Sequence, residues 1–177
     1  MPTLEPTRHH CKQILAANVL REHGRIRIAA LGVSMLPSVW PGDVLTVKRE
    51  RVDNIAEGEI VLWERDGRFV AHRVSRRISA PGNTCLVTRG DALSHEDEPV
   101  TSRELLGKVV SVERAGRCLP EVPKCSSLRR GCGRLLSSWD RLRSLALRWH
   151  RWRCGRALPQ CAESDAARYS QAPEIVC

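Results

Sequence analysis

A chain of 177 residues, 42% hydrophobic and 28% charged, is long enough for one well-buried core and an appendage, and its composition excludes a disordered or fibrous protein. The formal net charge of +9 does not make the whole surface basic: Ser126 to Arg156 holds nine Arg against one acid, Asp140, and the remainder is close to neutral. No apolar run approaches the roughly 18 residues of a transmembrane helix, no secretory signal peptide is found, and the eight cysteines form no C-x-x-C pair, so free thiols are expected rather than a zinc ribbon or a disulfide framework.

Residues 10 to 23 carry Ile14, Leu15, Val19 and Leu20 at helical spacing with Gly24 as a C-terminal stop, which predicts a first helix. Arg25 to Leu31 alternates charged and apolar residues as a strand does. The stretch Gly32-Val33-Ser34-Met35-Leu36-Pro37-Ser38-Val39-Trp40-Pro41-Gly42-Asp43 reads as a serine delivered at a strand end, followed by a sharp turn. Val44 to Lys48 predicts the next strand, and Arg49 to Gly58 a polar connection. Glu59 to Arg65 and Arg68 to Arg76 predict a hairpin closed by Asp66-Gly67. A two-residue turn pairs Arg65 with Arg68, Trp63 with Val70 and Val61 with His72. Period two then places Val61, Trp63, Val70, His72 and Val74 on one face. A loop over Ser79 to Asn83, a short strand over Cys85 to Thr88, a polar acidic segment over Arg89 to Glu98 and a last strand over Leu105 to Glu113 follow, ended by Ala115-Gly116. Short strands between regular turn signals make residues 1–116 a mainly β domain.

Pro120 and Pro123 mark residues 117–126 as a linker. Over 127–155, Leu128, Cys132, Leu135, Leu136, Trp139, Leu142, Ala146, Trp149 and Trp152 recur at three-four spacing with Arg between them, which predicts a basic amphipathic helix. Such a helix suits an anionic membrane surface; nucleic acid fits less well, because an apolar stripe bearing three tryptophans is not what phosphate requires. Residues 156–177 are polar and small and are expected to be a disordered tail. The expected location is cytoplasmic, and peripheral on a membrane where the tail binds.

Three segments carry chemistry. Ser34, a small hydroxyl held between turn residues, is a candidate nucleophile; a lone serine there is more often an ordinary loop residue. His72 on an apolar strand face is commonly a packed core residue, but a neutral imidazole beside a serine is what a general base must be. Arg89 to Glu98 brings four acids after Gly90, enough to orient His72 through its other ring nitrogen. Their spacing is not that of an EF-hand, and no metal or organic cofactor is expected.

Together Ser34-Met35-x-Pro37, Pro41-Gly42-Asp43, Gly58-Glu59-Ile60-Val61, His72-Arg73-Val74, Thr88-Arg89-Gly90-Asp91, Asp97 and Gly107-Lys108-Val109 resemble, in order and rough spacing, the type I signal peptidases. The likeness is greatest to the archaeal and endoplasmic-reticulum branch, whose wider superfamily includes LexA-like repressor autoproteases. It spans about residues 26 to 113. The resemblance implies Ser34 as nucleophile, His72 as base where other branches carry lysine, and Asp97 as the orienting acid with Asp91 as a second candidate. It also implies a partly open β-barrel whose groove takes an extended peptide or preprotein, with cleavage after small side chains. Gly32 stands where many signal peptidases carry a serine that helps hold the oxyanion, so the hole would rest on backbone N–H groups near Ser34. A competing expectation is a non-catalytic or regulatory module of the same fold, binding membrane or nucleic acid through its basic tail. A repressor-like autoprotease would need a DNA-binding helix-turn-helix, for which about 25 residues before the first strand leave too little room.

Overall fold

In the computed structural model the described residues are 8–80, 83–119, 122 and 174–175. One helix, α1 (Arg8–His23), precedes the strands β1 (Arg25–Ala30), β2 (Val44–Lys48), β3 (Ile60–Arg65), β4 (Arg68–Ala80), β5 (Asn83–Arg89), β6 (Leu105–Arg114), β7 (Arg117–Cys118) and β8 (Glu174–Ile175), with a short 3-10 turn at Val52–Asn54 between β2 and β3. The helix stops where expected, because Gly24 takes a positive φ of 70° and its N–H reaches back to Leu20 O at 3.0 Å. The described part of the chain is thus mainly β with one N-terminal helix.

The strands pair in the order β5-β4-β3-β6-β2-β1-β8, and β7 joins β6. All pairings are antiparallel except β1 with β8. Among the described residues this path is open: it begins at β5 and ends at β8 without closing, so the expected partly open barrel is here an open sheet. Register shifts at Thr46/Val47, Leu62/Trp63 and Val74/Arg76 bend it.

The β3–β4 hairpin has the register read from its turn: Arg65 faces Arg68, Trp63 faces Val70 and Val61 faces His72. Asp66 and Gly67 both have positive φ, 52° and 69°, the geometry that matches a two-residue turn to strand twist. Ile60, Val61, Leu62 and Trp63 are all buried, without alternation, because both faces of the sheet are covered. One face packs Leu20 and Ala17 of α1 with Ile28, Leu45, Leu62, Phe69 and Val112. The other holds Val61, Trp63, Val74, Leu86 and Val100 against Val52 and Ile55 of the β2–β3 connection. That connection was expected to be polar, yet its Val52 and Ile55 close the second core.

Three expected boundaries move. β1 ends at Ala30 rather than Leu31, because Ala30 N–H bonds Asp43 O at 2.8 Å and Gly42 N–H bonds Ala30 O at 2.7 Å. Ser79 and Asn83 belong to strands instead of a loop, since the β4–β5 ladder continues through Ser79↔Thr84 to Ala80↔Asn83. Ala115 and Gly116, with φ of 49° and 74°, do end β6, but as a two-residue turn into a further strand. Arg117–Cys118 folds back on β6, Leu119 N–H bonds Val112 O at 2.8 Å, and Leu119 and Val122 pack on the core, so the domain extends into the expected linker. Glu174–Ile175, placed by sequence in a disordered tail, pairs in parallel with Ala29 and Ala30 of β1. The rest of the expected amphipathic helix and tail lies outside the described residues. Among the described residues no helix is long and apolar enough to cross a membrane.

Candidate active site

Ser34 sits in the loop that joins β1 to β2. Its apolar neighbours Met35, Leu36 and Val39 are each 1% exposed and pin the loop to the sheet. The loop is drawn into a tight turn by Ser38 N–H and Val39 N–H, which both donate to Met35 O, at 2.9 and 3.0 Å, and the Leu36–Pro37 peptide is cis. From the other side the segment after β5 grips the serine backbone: Ala92 N–H donates to Ser34 O at 2.8 Å. Gly90 must be glycine for this approach, since a Cβ there would lie 2.7 Å from Ser34 O. Among the described residues the loop's own hydrogen bonds leave the N–H groups of Ser34 and Met35 without an acceptor.

His72 faces the serine from β4. Its Nε2 is 2.8 Å from Ser34 Oγ, and its Nδ1 is 2.7 Å from Asp97 Oδ2. The imidazole is 5% exposed, opposite Val61 and edge-on to Trp63, with ring centroids 6.5 Å apart. Asp97 Oδ2 also accepts the Thr88 hydroxyl at 2.6 Å, and Asp97 N–H donates to Thr88 O at 2.8 Å. Thr88 lies opposite Val74 in the β4–β5 ladder, on the face that carries His72. Burial raises the Asp97 carboxyl, but the hydrogen bond and charge of His72 and the Thr88 hydroxyl outweigh it and hold the group below its ordinary value. An ionised Asp97 only accepts, so Nδ1 carries the imidazole proton and Nε2 is left to accept from Ser34 Oγ–H.

Asp91, the second acid candidate, is engaged elsewhere. Arg73 donates to both its oxygens, Nε to Oδ1 and Nη2 to Oδ2, each at 2.8 Å, and both side chains are buried. Asp91 therefore does not orient His72. Arg73 follows His72 on β4 and points to the opposite side of the sheet, where it also donates to Gly58 O at 2.7 Å and to Ser38 Oγ at 3.4 Å. The pair fastens the Gly90–Ala92 segment that in turn holds Ser34.

Ser34, His72 and Asp97 thus stand in one hydrogen-bonded row, and of the two acid candidates Asp97, not Asp91, is the one that meets His72. Sequence reasoning assigned no role to Thr88, Arg73 or Gly90. Thr88 could have been found by extending the period-two argument to β5, and Gly90 by its place beside Asp91; the Arg73–Asp91 pair joins residues whose proximity no spacing rule supplies. Beside the row, a cleft of about 330 Å³ is bounded by Gly58, Arg73, Arg89, Asp91 and Glu96. A cleft of about 890 Å³ bounded by Gly24, Lys48, Val52 and Leu105 lies at the opposite end of the β1–β2 pair from Ser34. Among the described residues no group of three or more His, Cys, Asp or Glu side chains is placed to hold a metal ion.

The row is chemically a hydroxyl, a base that accepts its proton, and a carboxylate that fixes the base's tautomer and balances its charge. Comparison with known proteins finds no family model and no curated protein that matches the chain.

Proposed function

We propose that this protein is a serine endopeptidase of the signal peptidase I type, which cleaves a peptide bond in a signal or leader segment. The observation that carries the reading is the continuous row Ser34 Oγ, His72 Nε2, His72 Nδ1, Asp97 Oδ2, with contacts of 2.8 and 2.7 Å. Ser34 Oγ attacks the scissile carbonyl as its proton passes to His72 Nε2. The imidazolium then protonates the leaving amine, and water clears the acyl-enzyme by the same route. Asp97 stays ionised throughout, and the Thr88 hydroxyl helps keep it so. The oxyanion is received by the free N–H groups of Ser34 and Met35, since Gly32 offers no hydroxyl; each such donor is worth roughly two to three orders of magnitude in rate.

The resemblance implies a groove at Ser34 that takes an extended peptide. The resemblance supplies the finer expectations: a partly open barrel as the fold type, and small side chains before the cleaved bond. The Arg-rich segment 127–155 is proposed to hold the enzyme on an anionic membrane surface at the cytoplasmic side, near its preprotein substrates. The test is hydrolysis of a peptide set with small residues at the cleavage position, followed by mass spectrometry. The wild type cleaves and Ser34→Ala does not, while both give the same thermal unfolding curve. Equal cleavage by the two proteins removes Ser34 from the mechanism.

A further inference from the structure

The serine loop is held at a second point, besides the Arg73–Asp91 pair. Asp43, which ends the loop, is 1% exposed, and Arg114 at the end of β6 reaches it with a two-pronged contact, Nε to Oδ1 at 2.9 Å and Nη2 to Oδ2 at 2.7 Å. The same Nη2 donates to Ser38 O at 3.2 Å, and Asp43 Oδ2 also accepts Trp40 N–H at 2.8 Å. Trp40 in turn donates its indole N–H to Pro37 O at 2.9 Å. Asp43 N–H donates to Trp40 O at 2.9 Å, and Asp43 O accepts Ala30 N–H at 2.8 Å. Asp43 thereby ties both ends of the loop through its backbone and, through its carboxylate and Arg114, the loop's middle.

Resting on the peptidase reading, we infer that Arg114 is a positioning residue: acting through Asp43 and Ser38, it sets the place of Ser34 Oγ relative to His72. The base stands on β4, within the sheet. The nucleophile stands on a loop, pinned to the sheet by the buried side chains of Met35, Leu36 and Val39 and by a set of hydrogen bonds. Met35 O binds the N–H of both Ser38 and Val39, so residues 35–39 move as one turn, and Ser34 begins it. Ala92 N–H holds Ser34 O on one flank; Arg114 holds Ser38 O on the other. The guanidinium does this with a rigid planar fork that a lysine ammonium does not have. A nucleophile displaced by about 1 Å loses roughly a hundredfold in rate, so a fraction of that movement is readable.

The experiment uses the full-length chain and Arg114→Lys, which keeps the positive charge beside buried Asp43 and removes the fork. Two quantities are measured: amide hydrogen exchange over residues 34–40, and steady-state cleavage of a peptide that the wild type processes. The expected result is faster exchange in the loop with β3 and β4 still protected, and kcat lowered roughly tenfold at unchanged KM. Asp43→Asn, which keeps an acceptor for Trp40 N–H, should act in the same direction, and the double variant should be no worse than the worse single one. It also carries both readouts if Arg114→Lys fails to fold. Unchanged loop exchange, or faster exchange with unchanged kcat, overturns the inference. A wild type that cleaves no peptide and acquires no label at Ser34 overturns the peptidase reading instead, and the exchange data then report separately whether the fork holds the loop.

Discussion

Replacing Asp97 by asparagine tests the assignment of the acid most sharply, because shape is kept while charge and tautomer control are lost. Asp97 Oδ2 accepts from His72 Nδ1 at 2.7 Å and from Thr88 Oγ1 at 2.6 Å. An asparagine amide turned toward Nδ1 donates to it, which moves the imidazole proton to Nε2. The nitrogen 2.8 Å from Ser34 Oγ then no longer accepts. The expected loss in kcat is about 10³ to 10⁴, or roughly 4 to 5.5 kcal/mol of transition-state stabilisation. KM should change little. The stability cost should be small at acid pH and larger at neutral pH. Asp97 is held below its ordinary value of 3.8, so its contribution is complete above that value and disappears as pH falls through the lower folded one. The control is Asp91→Asn, which opens a buried pair with both contacts at 2.8 Å. Leaving Arg73 with an incomplete partner should cost about 3 kcal/mol of stability, with a rate loss per folded molecule far below that of Asp97→Asn. The assay pairs peptide-cleavage kinetics with denaturant unfolding for both variants. Asp97→Asn within threefold of wild type, or a larger rate loss at Asp91 with stability unchanged, would refute the assignment.

Gly90→Ala places a Cβ 2.7 Å from Ser34 O and 3.0 Å from the Leu93 side chain, so the loop must shift; a stability loss of about 1 to 3 kcal/mol and a rate loss of roughly tenfold are expected, from unfolding curves and cleavage kinetics. The Arg65 guanidinium, with help from Thr101, holds the Glu104 carboxyl down at about 2 from an ordinary 4.5, so the pair stabilises fully above pH 4.5 and weakens toward pH 2. Glu104→Gln should therefore lower stability by roughly 1 to 2 kcal/mol at neutral pH, after allowance for solvent screening of a partly exposed pair, with the difference from wild type closing in acid titrations. Full-length protein should co-sediment with anionic vesicles with a blue shift in tryptophan emission, and a chain ending at Val122 should not. Equal absence of binding to anionic and neutral vesicles, beside salt-sensitive binding to DNA, would assign the tail to nucleic acid.

The parts of this fold written in local chemistry were legible. Asp66-Gly67 dictates a two-residue turn, and from it the pairing of Val61 with His72 and the face that His72 shares with Trp63 follow by counting. The serine loop was legible because Pro37, Pro41 and Gly42 punctuate it between two apolar runs. Ala115-Gly116 ends its strand as read, but a turn and a terminus use the same residues, so only the pairing of Arg117–Cys118 on β6 reveals the strand that follows. Asp97 came from the resemblance and not from spacing, since nothing local distinguishes it from its neighbours Glu96 and Glu98. A loop-holding duty for Asp91 is legible, but not its partner Arg73, which comes from another segment and the face opposite His72. Likewise Arg114 meets Asp43 across 71 residues of sequence, a contact that tertiary folding alone creates.

The most direct measurement of the central claim is the mass of the protein after exposure to a fluorophosphonate, with the modified residue located by peptide mapping. A Ser34 hydroxyl activated by His72, whose Nε2 lies 2.8 Å away, acquires one phosphonyl group. The account predicts a single adduct on Ser34, absent in Ser34→Ala and in His72→Ala although both variants remain folded. An unmodified Ser34 in the folded wild type, or an adduct that forms equally fast in His72→Ala, would contradict it.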